Sequence, residues 1–147
     1  MSSVCTFSMN IDSLVTAHII LVKDGQILLQ LVDDWDEHSF ETKPSQWSLL
    51  KCFVPAGVEP LEELYRSVFE QTGIKLRTVK TLETIRHTVG QKNFESHLFF
   101  CDTFDASFLT QIEGQVFLFF KEADLTVIEI DEFTKRQLDS HFNKSKL

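Results

Sequence analysis

Trp47 to Ile74 reads WSLLKCFVPAGVEPLEELYRSVFEQTGI, and its pattern is that of a strand, a turn and a helix. Leu49 to Val54 is apolar enough for a strand and stops at Pro55-Ala56-Gly57, a cluster of turn residues. Pro60 suits the first helical position, where its missing N–H costs nothing. Leu61, Leu64, Tyr65 and Val68 recur at helical spacing, which predicts a helix over 60–72 with an apolar stripe. Glu62, Glu63, Arg66, Ser67, Glu70 and Gln71 fall off that stripe. Gly73 is placed to end the helix in the left-handed conformation, with Ile74 packing back on Phe69.

Upstream, Leu14 to Val22 and Gln26 to Val32 are apolar and β-branched, and Lys23-Asp24-Gly25 separates them. An Asp-Gly between two such runs is a strong hairpin signal. Asp33 to Gln46 is polar, carries Pro44 and reads as a loop. Downstream, Ile74 to Val89 and Phe94 to Phe104 read as strands joined by a turn at Gly90, and Gln115 to Phe120 as another strand. Asp131 to Phe142, with Phe133, Leu138 and Phe142, reads as a terminal helix. Strands, helix, strands, helix is the order of an α/β or α+β sandwich and not of a regular βαβ repeat.

Composition narrows the function. The 147 residues suit one domain, expected over 1–147 with 1–13 as an N-terminal extension and 143–147 as a tail. A hydrophobic share of 43% beside 24% charged residues is globular, not disordered. A net charge of −8 argues against holding a nucleic-acid duplex, which needs clustered Lys and Arg. It leaves room for a nucleotide whose phosphates arrive with Mg²⁺. No apolar run reaches the length of a membrane span, and MSSVCTFSMN has no secretory pattern. Cys5, Cys52 and Cys101 are scattered, which suits a reducing, cytoplasmic setting. Ser145-Lys146-Leu147 is the peroxisomal address if the source is eukaryotic. The glycines are too far apart for a GxGxxG turn or a P-loop, and no HExxH or GxSxG occurs.

The Trp47–Ile74 stretch resembles the box of the Nudix hydrolase family, G-x5-E-x7-R-E-U-x-E-E-x-G-U with U aliphatic, often preceded by Trp-x-Leu-Pro-Gly. With Gly73 on the last box glycine the two align without gaps. Arg66, Val68, Glu70, Gly73 and Ile74 match, as do Trp47 and Leu49 ahead of the box. Cys52 replaces the first glycine, Val58 the first glutamate, Ser67 the glutamate after the arginine, and Gln71 the second of the paired glutamates. Lys51 replaces the glycine before Cys52. Ile112-Glu113-Gly114-Gln115 looks like the family's late segment, where in some members a glutamate reaches the metal. The resemblance spans residues 14–142 and implies a mixed β-sheet between helices. It also implies homodimers, which are common in the family.

The resemblance implies phosphoanhydride hydrolysis, in which negative charge builds on phosphate oxygens and divalent cations neutralise it. Mg²⁺ takes oxygen ligands, usually one or two carboxylates with the substrate's phosphates. Glutamates three and four apart share one helix face and can surround it. Here Ser67 and Gln71 put neutral groups on that face and Val58 removes a carboxylate. The metal and catalytic candidates left are Glu70 and Glu113, with Glu63 one turn before Ser67 as a compensating ligand. Two carboxylates suffice for one Mg²⁺ carried in by a substrate, not for a cluster. Arg66 and Gly73 are structural members of the box, and Trp47 is a candidate for stacking on a base. The ordinary readings are a solvated charge for Glu63, packing for His87 and His97, and a buried inert thiol for Cys52.

Three functions follow. The first is a Nudix-fold protein with weak or lost Mg²⁺-dependent hydrolysis that still binds a nucleotide-like small molecule. The second is an active divergent hydrolase using Glu70 and Glu113 with one Mg²⁺. The third is a protein-interaction module on the same scaffold.

Overall fold

The computed structural model describes residues 13–32, 35–36, 41–42, 46–105 and 116–142. Strand β1 (Ser13–Lys23) and strand β2 (Gln26–Val32) form the expected hairpin, with Lys23 opposite Gln26. Asp24 (φ 54°) and Gly25 (φ 75°) both adopt positive φ, as a two-residue turn matched to strand twist requires. Two short pairs of residues, β3 (Trp35–Asp36) and β4 (Glu41–Thr42), run antiparallel within the stretch expected to be loop. The strand expected over 49–54 is β6 (Leu50–Phe53), paired with β1, and a further short strand, β5 (Gln46–Ser48), precedes it on β2. The chain changes neighbour at Leu49.

Helix α1 (Pro60–Thr72) has the bounds the sequence predicts. Gly73 closes it at φ 79°, its N–H bonded to the Phe69 carbonyl at 2.8 Å. The strand expected over 74–89 breaks into β7 (Lys75–Leu76) and β8 (Lys80–Val89). The next divides into β9 (Lys92–Cys101) and β10 (Phe104–Asp105). β7 and β10 pair apart from the main sheet. Strand β11 (Val116–Lys121), a 3-10 turn (Glu122–Thr126) and helix α2 (Glu132–His141) complete the described chain. Asp131 caps α2 by accepting the Thr134 N–H at 2.7 Å.

The main sheet runs β11-β2-β1-β9-β8, with β5 on β2 and β6 on β1. β1 and β9 are parallel over nine residue pairs from Ser13↔Asn93 to Leu21↔Cys101, while the other named pairs are antiparallel, so the sheet is mixed. β1 is its centre, and residues 16–21 are all buried. Ala17, Ile19 and Leu21 face a core with Leu64 and Val68 of α1. Ile20 faces a second core with Leu49, Leu98 and Leu138 of α2. The architecture is α+β, a mixed sheet between two helices, and among the described residues no helix is long and apolar enough to cross a membrane.

Candidate functional site

The polar side of α1 is more deeply set than its apolar stripe suggests. Glu63 (8% exposed) and Ser67 (7%) are buried beside Leu64 and Val68, whereas Tyr65 stands half-buried at the rim. The helix therefore rests Leu64 and Val68 on the core, with Glu63 and Ser67 buried beside them on one side and Leu61 and Tyr65 half-buried on the other. Tyr65 instead donates its hydroxyl to the Arg77 carbonyl at 3.3 Å.

Arg66 joins the two carboxylates the sequence singled out. Its Nε donates to Glu63 Oε1 at 3.1 Å, and a second guanidinium N–H reaches the other Glu63 oxygen. Its remaining terminal nitrogen lies 2.7 Å from Glu70 Oε1. The guanidinium hydrogen bond holds the Glu63 carboxyl below the ordinary carboxylate range. The same bonds raise Arg66 further above its usual value. Such a bidentate fork fixes geometry as well as charge.

The two neutral replacements in the box find each other. Gln71 Nε2 donates to Ser67 Oγ at 2.6 Å. Burial pushes the Cys52 thiol up, against a hydrogen bond from Ser67 that acts the other way. Cys52 is thus a protonated, half-buried thiol. Val58 lies in the turn before α1, where its N–H bonds to the Pro55 carbonyl at 3.1 Å and Gly57 takes φ 82°. Glu113 lies outside the described residues.

A resident magnesium cluster does not fit this helix face. Mg²⁺ needs anionic or carbonyl oxygens free to point at it. Ser67 is occupied by Gln71, Val58 has no side-chain oxygen, and a cation already sits between Glu63 and Glu70. Among the described residues no group of three His, Cys, Asp or Glu side chains converges to hold a metal ion. Glu70, 62% exposed, is the carboxylate most open to solvent in this set.

Trp47 lies elsewhere. It packs edge-on against Phe120, ring centroids 4.7 Å apart, within the cluster under α2. Its main chain clamps the segment before α2, its N–H donating to the Glu129 carbonyl at 2.8 Å and its carbonyl accepting from Asp131 at 3.1 Å.

The face of the sheet under α2 holds His87, expected as a packing residue, together with three polar residues that the sequence reading did not single out. His18 and Thr16 on β1, Ser96 on β9 and His87 on β8 form one hydrogen-bonded chain. The available signal was alternation: Thr16 and His18 are the polar positions on the α2 side of a strand whose other residues there are apolar. On the opposite face Glu95 pairs with His97 at 2.9 Å and with Arg86 at 3.0 Å. The His97 hydrogen bond lowers the Glu95 carboxyl.

No family model matches the sequence, and no curated protein matches it. Solved structures do. A MutT from a study of Aliivibrio salmonicida and Vibrio cholerae superposes with a TM-score of 0.69 at 17% identity, over 87% of this chain and 95% of that one. The MutT Nudix hydrolase of Burkholderia pseudomallei gives 0.69 at 19% identity, over 86% and 96%. The ORF135 protein of E. coli gives 0.66 at 16% identity, over 86% and 91%. The fold of this chain is the fold of those proteins.

Proposed function

We propose, with the Nudix fold as premise, that this chain binds a nucleotide or nucleotide-like metabolite and hydrolyses it weakly or not at all. The observation that carries this reading is the state of the α1 face. Arg66 spends its charge on Glu63 and Glu70, and Ser67 and Gln71 satisfy each other. Phosphoanhydride cleavage needs cationic charge on the phosphate oxygens and a base for the attacking water. A helix face with two arginine-paired carboxylates and two neutral side chains supplies neither in quantity. The scaffold residues persist: Gly73 at its left-handed turn, Arg66 in its fork and Val68 in the core.

A second reading, a one-metal hydrolase on Glu70 and Glu113, draws on the exposure of Glu70. One panel separates the two. Nucleoside triphosphates, ADP-ribose, dinucleoside polyphosphates, nucleotide sugars, NADH and CoA are offered with Mg²⁺ or Mn²⁺, and hydrolysis and melting temperature are both recorded. We expect turnover no higher than that of Glu70→Gln, with a rise in melting temperature for at least one ligand class, since a ligand of the native state stabilises it. Turnover abolished by Glu70→Gln overturns the proposal in favour of the second reading. Silence in both readouts overturns nucleotide binding and leaves an interaction module.

A further inference from the structure

The contact between α2 and the sheet is built on rings and hydroxyls as well as aliphatics. Phe133, in the first turn of α2, stacks on His87 and packs at a tilt of 36° against His18. Its ring centroid is 4.5 Å from that of His18 and 5.0 Å from that of His87. His87 in turn stacks on Phe94 at 5.4 Å. Four rings from β1, α2, β8 and β9 thus form one column.

A hydrogen-bonded rail joins the two histidines of that column. His18 Nε2 lies 3.0 Å from Thr16 Oγ1, Thr16 Oγ1 lies 2.8 Å from Ser96 Oγ, and Ser96 Oγ lies 2.8 Å from His87 Nε2. Thr16, His18 and Ser96 are buried. Three hydrogen bonds need three protons. The two hydroxyls bring one each, so one imidazole Nε2 brings the third and the other Nε2 must be bare. The rail therefore couples the two tautomers. One added proton is tolerated on Nδ1 of the ring whose Nε2 already carries hydrogen, or on the other ring if the first changes tautomer and both hydroxyls turn. Two added protons place an N–H at both ends, and one link must break.

The cations around the column, though not the carboxylates near it, oppose an added proton. Lys51 on β6 stands across the pair from His18. Arg136 of α2 acts on His87 and is itself paired with Glu132 at 3.4 Å. On β8, Glu83 is bonded to His141 of α2 at 2.8 Å. Asp131, at the start of α2, accepts from the Thr134 N–H. From β9 the column receives Phe94 and Ser96. Burial, then Lys51 and His87, push His18 down to about 3, and burial with Arg136 lowers His87.

We propose that Phe133, held between the neutral rings of His18 and His87 on their shared rail, is an acid-sensitive latch that docks α2 on the sheet. While both rings are neutral the rail is complete and the ring slot is closed. Any opening that lifts Phe133 frees the imidazoles to take up protons at their ordinary affinity, so acid favours the open form.

The test is amide exchange across α2 between pH 7.5 and pH 5.0, corrected for the intrinsic pH dependence of exchange. Protection of the α2 amides should fall about thirtyfold for His18 alone, the ratio set by a free value of 6.5 against a docked value of about 3, with His87 adding to it. The β1–β9 amides should change less. The double variant His18→Gln, His87→Gln should show no such fall. Imidazole nitrogen shifts of the unmodified protein at pH 7.5 supply a readout independent of whether that variant folds. They should show one protonated and one bare Nε2. Constant α2 protection, a double variant that falls as steeply as the parent, or like Nε2 states in the two rings would each overturn the latch.

Discussion

Arg66 is the side chain on which the α1 face turns. It neutralises a buried carboxylate and an exposed one from a single fork. Lysine carries the same charge without the fork, so Arg66→Lys should lower the melting temperature, and Arg66→Ala should lower it further by leaving Glu63 unpaired. Glu63 adds a sign to the pH dependence. Its folded value is depressed, so its contribution is present above the ordinary carboxylate range and fades as pH falls through it. Melting scans of Glu63→Gln against the parent should differ at pH 7 and converge as pH falls below the ordinary carboxylate range. The converse experiment rebuilds the box. With Ser67→Glu and Gln71→Glu together, Mn²⁺ should raise the melting temperature, whereas the parent should not respond. A response of equal size in the parent would show that Glu70 and the late loop already hold a metal. The identities of these residues were legible in the sequence. Their partners were not, because helical periodicity gives the angular position of a side chain but not which edge of the helix leans on the sheet. Leu64 and Val68 of the apolar stripe are buried as their spacing implies, and the Glu63–Ser67 edge is buried beside them.

Among elements, the two helices are fixed by different devices. α1 ends on Gly73 at φ 79°, a backbone state that costs a side chain about 1 kcal/mol, so Gly73→Ala should reduce unfolding free energy by roughly that much in a urea titration. α2 begins on Asp131, whose carboxylate accepts the Thr134 N–H at 2.7 Å, while the Thr134 hydroxyl accepts the Leu49 N–H at 3.1 Å. Loss of such a cap costs about 1 kcal/mol, and Asp131→Ala should show it with α2 exchange rising more than α1 exchange. Helix ends were readable because Pro60, Gly73 and Asp131 act locally. Strand ends were less so. The chain before the turn changes partner at Leu49 from β2 to β1, and the run after α1 breaks between Leu76 and Lys80. These breaks follow which neighbour each segment finds, and a neighbour outside the local window leaves no mark on local pattern.

At the scale of the whole molecule, β1 is buried on both faces and bonded to β2, β6 and β9. Its apolar run and the Asp-Gly after it announced a hairpin strand; its central place and its parallel pairing with β9 were not announced, since pairing is a property of two segments. The two polar residues on its α2 face carry a whole-molecule consequence. His18 is neutral when folded and protonates when unfolded, so below about pH 6.5 the unfolded state binds the extra proton and stability falls. The slope expected from His18 is roughly 1.4 kcal/mol per pH unit down to the folded value of about 3, an upper limit that chemical denaturation at pH 7 and pH 5 can check. His18→Leu should flatten it.

The parallel bond between β1 and β9 also has a meaning in time. Thr16 meets Ser96 eighty residues further along the chain. At a ribosomal pace of roughly 5–20 residues per second, about 4–16 s pass before the first strand's lasting partner has been made. Through that interval the newborn chain carries its most apolar segment with only the β2 hairpin arm and then β6 to shelter it. The central strand of the finished sheet is therefore a stretch in need of chaperone cover while the chain up to its partner is being made.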